Sequence, residues 1–485
     1  MRCKFSSIGR RFSFLLMVLF GQATFAQLDW QDNVVVFGSG DDESLPLITS
    51  MHNGQYRAFC LRNSFDLSTR RSHLNGSAWE SFSDLEVALS NTEMGAESDI
   101  GYSYVWSKVE GNIRRIAHEN STWSELQILS LDSTVSAFSA INLTTDFAFD
   151  PVDTYLHGCY LYRQSPTNAV LAYFRSEDHA ATVSFRSQIQ SNLQFQDSSS
   201  SLATAVSWSG EEEKIWTAVT VDRPGTTGEQ ILFFNSENFG QSWSAPIIVD
   251  SSSYAMMHPS MTAQDELIMM AYQRRNNASI AREIFMVYSP DNGMSWSEPL
   301  QLTDNPFDDF KPRLLVSGER LGLFYVRAQT QNDSGALFFR EASLGEPWNW
   351  SPEVSVSENS SFKVSQGYAA TSDDNGFAAV WSSRVVGEDN DILFNASWRG
   401  VAVEDQFSQS NSETPQLSYT RAGFLQYDLP RGIPSEIVLY DLLGRKVAQS
   451  TLSGRGVWSL PSNLPSGNYW AKGKLTNALR VQVVR

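Results

Sequence analysis

The sequence predicts an all-β protein: a seven-bladed β-propeller closed by its own N-terminal strand, followed by a small Ig-like β-sandwich. Three observations carry this reading. The text Ser289-Pro-Asp291-Asn-Gly293-Met-Ser295-Trp296 has a near copy earlier in the chain, Ser236-Glu-Asn238-Phe-Gly240-Gln-Ser242-Trp243. Seven apolar strands, each ending in a cation, recur between Tyr56 and Arg384. The stretch Trp30-Gln-Asp-Asn-Val-Val-Val-Phe37 has the form of an outer strand but no unit of its own to complete.

At the N-terminus, residues 1–26 read as a signal peptide. Arg2, Lys4, Arg10 and Arg11 precede the apolar run Phe12 to Phe20, and Ala23-Thr-Phe-Ala26 offers a cleavage site. The run is too short to serve as a membrane anchor, and no later stretch is long and apolar enough to span a bilayer. With 54 acidic against 36 basic side chains the chain carries a formal charge of −18. Loss of the leader's cations makes it more acidic still, a field that disfavours nucleic acid. The six histidines lack the spacing of a zinc site, and no CxxC, Walker loop or GxGxxG is present. Neither a metal nor a cofactor is therefore expected.

Residues 27–405 repeat one unit. A turn built on Asp or Asn plus Gly, closed by Trp and leading into alternating residues, is a hairpin, and hairpins in tandem at a regular period signal a repeat architecture. The second strands align as Tyr56–Arg62, Tyr102–Lys108, Tyr155–Arg163, Trp216–Arg223, Leu267–Arg274, Leu321–Arg327 and Phe377–Arg384. Tryptophan turns are expected at Trp79, Trp123, Trp243, Trp296, Trp348 or Trp350, and Trp398. The third unit lacks one and carries an insert, Gln164 to Gln196. A six-bladed ring is the alternative if the first or third unit is misread. The seventh unit ends at Trp398-Arg-Gly without an outer strand, and Trp30–Phe37 can supply it; closing the ring removes exposed strand edges.

Cys60 and Cys159 occupy the same offset in units one and three. Strands within a blade lie ~5 Å apart, so equivalent strands of non-neighbouring blades exceed the ~7 Å Cα reach of a disulfide. Two buried free thiols are expected.

Residues 406–416 have linker composition. In residues 417–485, short alternating segments are bounded by Gly and Pro turns: Glu436–Tyr440, Asp441-Leu-Leu-Gly444-Arg-Lys-Val447, Leu464-Pro-Ser-Gly467-Asn-Tyr469 and Arg480–Arg485. That pattern is a small β-sandwich.

Two resemblances follow from these texts. Ser289–Trp296 matches the Asp-box (BNR repeat) of sialidase-like propellers, Ser/Thr-x-Asp-x-Gly-x-Ser/Thr-Trp; Ser236–Trp243 matches it with Asn238 in place of Asp. In that family Asp291, Gly293 and Trp296, like Asn238, Gly240 and Trp243, are structural and lie away from the active site. The C-terminal block resembles the type A C-terminal sorting domain of the type IX secretion system, by its acidic-Leu-Leu-Gly-Arg-Lys-Val turn, its Leu-Pro-Ser-Gly-x-Tyr turn and its basic, valine-rich last strand. The resemblance implies the type IX secretion machinery as a partner, with passage across the outer membrane to the cell surface or the medium.

If the tryptophan turns point to a lower face, the ends of second strands and the starts of inner strands point up. The upper rim then carries Arg62, Lys108, Arg163, Arg223, Arg274, Arg275, Arg327 and Arg384. These form either an oxyanion-binding crown or a set of ties to acids between blades. Nearer the axis the candidates for ligand binding are Lys311, Arg313, Lys363 and His258, together with Arg274 and Arg327. Asp308, Asp309, Tyr368 and Glu97 are the candidates for catalysis. Sialidase-like enzymes use a Tyr nucleophile helped by Glu, an Asp acid and three arginines, but the Arg-Ile-Pro element expected early in that family is absent; the nearest text, Tyr56-Arg57-Ala-Phe, falls in a strand. Three functions remain open: recognition of glycans or other anionic ligands by the upper face, exo-acting glycoside hydrolysis of sialidase type, and a non-catalytic scaffold or adhesion propeller.

Overall fold

In the computed structural model every element of regular secondary structure named among the described residues is a strand. The structure describes residues 29–398 and 416–483 apart from loop stretches, among them 131–137, 146–154, 195–200 and 358–363. The expected leader, most of the expected linker and the 441–444 turn lie outside the described residues. No helix among the described residues is long and apolar enough to cross a membrane. Two compact units are separated, one within Met1–Thr49 and Tyr56–Trp398, the other within Ser50–Gln55 and Arg399–Arg485.

The first unit is a ring of seven small antiparallel sheets. Their inner strands are Glu43–Ser50, Met94–Asp99, Phe138–Thr145, Leu202–Trp208, Met256–Gln264, Asp308–Ser317 and Val364–Asp373, opening blades one to seven in chain order. The second strands are covered on both faces because they lie between two neighbouring blades. In Leu267–Arg275 of blade five, Ile268, Met269, Met270, Ala271 and Tyr272 are all fully buried. A continuous apolar run, rather than alternation, is what such a doubly covered strand requires.

The N-terminal segment closes the ring. Asp29–Trp30 and Val34–Phe37 both pair with Asn390–Trp398, the third strand of blade seven, with Trp30 opposite Ser397 and Val34 opposite Phe394. Trp398 itself is the last residue of that third strand, so the tryptophan turn of blade seven belongs to Trp30 and not to Trp398. Spacing along the chain agrees. The outer segments at Val34, Ser83, Gln127, Ile247, Leu300 and Val354 each begin four residues after a tryptophan: Trp30, Trp79, Trp123, Trp243, Trp296 and Trp350.

These turns clasp each blade to the one before it. Trp296 meets Phe233 of blade four edge to face at 5.0 Å, Trp243 meets Tyr173 of blade three at 5.4 Å, and Trp79 meets Phe394 of blade seven at 5.1 Å. The turn glycine presses on the same ring: a Cβ at Gly293 would lie 2.3 Å from Phe233, where φ is also +86°. Inside the turn, Asp291 Oδ1 accepts from the Ser289 hydroxyl (2.8 Å) and the Ser295 amide (2.8 Å), and Ser289 Oγ accepts from the Gly293 amide (2.8 Å). Hydrogen bonds from the Ser295 hydroxyl and amide hold the Asp291 carboxyl below its usual range. Asn238 reproduces the network, its Oδ1 accepting from the Ser242 amide at 2.9 Å.

Blade three holds a third copy that the sequence reading passed over. Gln164–Gln196 is no insert: it contains the third and fourth strands, Asn168–Ser176 and Phe185–Gln194. Between them Asp178 accepts from the Ser176 hydroxyl (2.8 Å) and the Thr182 amide (2.8 Å). Ser176, Asp178 and Thr182 keep the spacing of Ser289, Asp291 and Ser295, with Ala180 and Val183 where Gly and Trp stand elsewhere. The tryptophan signal had vanished while the polar spacing persisted. Cys60 and Cys159 are buried free thiols in blades one and three, and burial pushes the Cys159 thiol up to about 11.

The second unit has two antiparallel sheets. One joins Gln416–Thr420, Phe424–Asp428 and Arg455–Ser459; the other orders Lys446–Leu452, Ser435–Tyr440, Gly467–Gly473 and Leu479–Val483. Ile437, Val438, Leu439, Leu460, Leu464 and Tyr469 are its described buried apolar side chains.

Candidate functional site

Inner strands reach the axis in an irregular way. Leu45, His258 and Lys311 adopt left-handed φ values of 48°, 51° and 52°, and each precedes a proline: Pro46, Pro259 and Pro312. Proline has no N–H for the ladder, so a bulge forms at such a step. Pairing slips between Met257 and Ser260 in blade five and between Phe310 and Arg313 in blade six. Blade seven slips between Val364 and Tyr368, with Gly367 at φ 143°. A left-handed non-glycine residue costs ~1–2 kcal/mol, which neighbouring contacts must offset.

Those contacts come from adjacent blades. The Lys311 amide donates to Gln273 Oε1 of blade five at 3.0 Å, and the Lys311 carbonyl accepts from the Tyr368 hydroxyl of blade seven. The same hydroxyl lies 3.2 Å from the Phe324 carbonyl. His258 donates its amide to Ser201 Oγ (3.0 Å), and Leu314 donates to Ser260 Oγ (2.9 Å). Thr204 donates to Asn142 Oδ1 at 3.0 Å, tying blade four to blade three.

Two adjoining cavities lie on the axis, in the half of the inner strands opposite the tryptophan turns. The first, about 330 Å³, is lined by polar side chains that include Asn142, His258, Ser260, Lys311 and Arg313. The second, about 250 Å³, is bordered by Leu47, Ile48, Met94 and Trp106 as well as by Asn142 and Arg313, with Tyr368 at its wall. Arg313 and the Ile141-Asn142 step line both. No carboxylate lines either cavity among the described residues.

Electrostatics follow from this composition. Burial, reinforced by the positive charges of Lys311 and Arg282, lowers His258 to about 4. The imidazole is therefore neutral at pH 7, although the residue keeps contact with solvent. Burial also lowers Lys311 below the ordinary lysine range. Tyr368 is pushed well above the usual phenol range by burial, with Arg313 opposing, and its proton is committed to carbonyl oxygens.

The other candidates are not brought to the cavities. Asp309 is fully buried and accepts from Arg327 Nε (2.8 Å) and Nη2 (3.0 Å) and from Asn305 Nδ2 (2.6 Å). Burial raises its carboxyl despite those bonds. Asp308 accepts from the amide and Nη1 of Arg282, at 2.8 and 2.7 Å, which ties blade six to blade five. Arg327 also binds Glu353 at 2.6 Å. Arg274 pairs with Asp250 of blade four at 2.7 Å and stacks 3.7 Å above the Phe285 ring. Arg62 pairs with Asp84 of its own blade at 2.9 Å. Buried acids thus take up Arg274 and Arg327 as links in the scaffold. Lys363 and Arg223 lie outside the described residues, and Glu97 and Lys108 sit in strands whose side chains at those positions also lie outside them. Of the candidates, the structure assembles His258, Lys311, Arg313 and Tyr368. Asn142, Ser260 and Trp106 join them unforeseen; the inner-strand positions of Asn142 and Ser260 were the only signal for them.

Among the described residues no group of three His, Cys, Asp or Glu side chains is placed to hold a metal ion. No family model matches the chain, and no curated protein matches it. Several solved structures are similar to it. An ulvan lyase, a polysaccharide lyase, superposes with a TM-score of 0.49 at 11% identity, over 74% of this chain and 95% of that one. A protein of unknown function from Dyadobacter fermentans gives 0.44 at 13%, over 77% and 100%. The six-bladed fungal lectin of Aleuria aurantia gives 0.40 at 10%, over 67% and 99%. At such identities the likeness is one of fold.

Proposed function

We propose that this chain is an Asp-box propeller that recognises acidic glycans at its axial cavity, exported and displayed at or beyond the cell surface through its C-terminal sorting sandwich. One observation carries the recognition reading: in a strongly acidic protein, Arg313, Lys311 and His258 line a cavity with no described carboxylate. Guanidinium and ammonium groups are suited to carboxylate or sulfate, and a neutral His258 adds donor and acceptor capacity without charge repulsion. The hydrogen bonds that pin Lys311 and His258 in place reduce the ordering cost of binding.

Hydrolysis is the weaker reading. Glycoside cleavage ordinarily needs a pair of carboxyl groups across the scissile bond. Asp308 and Asp309 are instead held by arginines away from the cavities, and Tyr368 is bound to carbonyls. The test is titration calorimetry with glucuronate- or sulfate-bearing oligosaccharides and their neutral counterparts. Binding only of the acidic forms, weakened at least tenfold by Arg313→Ala, supports recognition. Equal binding of neutral and acidic forms would refute it, and turnover of a fluorogenic sialoside would restore the enzyme reading.

A further inference from the structure

We infer that the axial site takes an extended acidic chain rather than a single terminal sugar: the acidic unit enters the first cavity, and the units that follow lie over Tyr254 and Phe307. This rests on the reading of the first cavity as an acidic-glycan site and adds the length of the ligand and the course of the rest of it.

Strands alternate in direction within each blade, so the links between blades lie at the end of the ring opposite the tryptophan turns, the end that holds the cavities. Two successive links, into blades five and six, carry the same device. Tyr254 stands four residues before His258, and Phe307 four residues before Lys311. His258-Pro259 and Lys311-Pro312 are matching left-handed steps, and both line the first cavity. The two rings are exposed, at 39% and 40%. In each link the residue two before the ring holds its backbone: the Tyr254 amide donates to Ser252 Oγ at 3.0 Å, and the Phe307 amide to Asn305 Oδ1 at 2.9 Å. The fold does not ask for an aromatic at this place, because the third such step, Leu45-Pro46, has Asp41 at the matching position. Two large apolar faces kept in water at equivalent points beside one cavity suit a ligand with apolar faces of its own. A pyranose has them: its axial C–H groups stack on the face of an aromatic ring. Four residues of chain span at most ~14 Å, so each ring lies within about two or three sugar units of the left-handed residue on its own strand.

Oligosaccharides that alternate glucuronic acid with N-acetylglucosamine test this on the full-length protein, by titration calorimetry at one ionic strength, in lengths of two and four units. The four-unit form is expected to bind about tenfold tighter than the two-unit form. Tyr254→Ala and Phe307→Ala are each expected to weaken the four-unit form about threefold and to leave the two-unit form within twofold of the parent. Phe307→Leu, which keeps apolar bulk and removes the ring, should act as Phe307→Ala does. Equal, Arg313-dependent affinity for both lengths overturns this inference and leaves the acidic-glycan reading standing. A gain with length that survives the Tyr254→Ala, Phe307→Ala double variant also overturns it, since the added charge then accounts for the gain. Equal losses at both lengths would place the rings in the cavity wall and overturn it as well. Failure of both lengths to bind in an Arg313-dependent way overturns both readings.

Discussion

Trp30 and Phe339 meet edge to face with their ring centroids 5.0 Å apart, so a residue from the first described strand packs on the third strand of blade six and completes blade seven. The contact is the ring closure of this propeller. Trp30→Ala is expected to destabilise it by about 3 kcal/mol. Chemical denaturation would show the lower midpoint, and an unchanged midpoint would mean that the ring closes without this strand.

Gly293 is fixed by two constraints at once: φ of +86° and the Phe233 ring. Gly293→Ala is expected to cost about 2–4 kcal/mol, combining left-handed strain with overpacking. Trimming the ring with Phe233→Leu should recover part of that loss in a double-mutant cycle. Simple additivity of the two changes would place the strain in the backbone alone.

The Arg327–Asp309 pair is buried at the acid. Arg327→Met should lower stability by about 3 kcal/mol because it leaves Asp309 without its charge partner, and adding Asp309→Asn should restore much of it. Acidic-glycan affinity of the folded variant is expected to stay within twofold of the parent, since neither residue lines the cavities. A large loss of affinity would return these residues to the site.

Tyr368 acts on the site through Lys311. Tyr368→Phe removes the hydroxyl that bonds the Lys311 carbonyl and is expected to weaken binding of a sulfated disaccharide about three- to tenfold. Faster exchange of the Lys311 backbone, read by amide hydrogen exchange, should accompany the loss. Weakened binding with unaltered exchange would instead argue that Tyr368 touches the ligand.

His258 and His118 are both lowered to about 4, first by burial and then by nearby cations: Lys311 and Arg282 for His258, Arg57 and Arg71 for His118. Their folded pKa values lie below the unfolded value, so the unfolded chain binds more protons between about pH 6.5 and 4. Stability is therefore expected to fall as the pH drops through that window. His118→Gln combined with His258→Gln should flatten that part of the pH–stability curve. An unchanged slope would show that these two rings do not set the loss of stability in that window.

Much of the fold could be read from residues alone, because its signals are local. Ser289–Trp296 and Ser236–Trp243 encode their own turns through hydrogen bonds spanning at most four residues. Runs such as Leu267–Tyr272 encode strands covered on both sides. The orphan outer strand at Trp30 was legible because it shares the tryptophan spacing of its counterparts. Blade three was harder: the same turn stands there as Ser176, Asp178 and Thr182 without the Gly and Trp that mark its counterparts.

The sequence by itself determined the repeat, the ring, its closure and which face the tryptophan turns occupy, since each follows from spacing and from the antiparallel order of strands. It also supplied the cations of the upper face, but not which of them are free for a ligand. Only the tertiary structure decided that. Arg327 finds Asp309 and Arg274 finds Asp250 across strand and blade boundaries that no local pattern encodes. His258, Lys311 and Arg313 meet because proline bulges in neighbouring blades turn toward one axis. Charge partners and cavity walls are long-range relations, fixed by how blades pack rather than by what each blade spells.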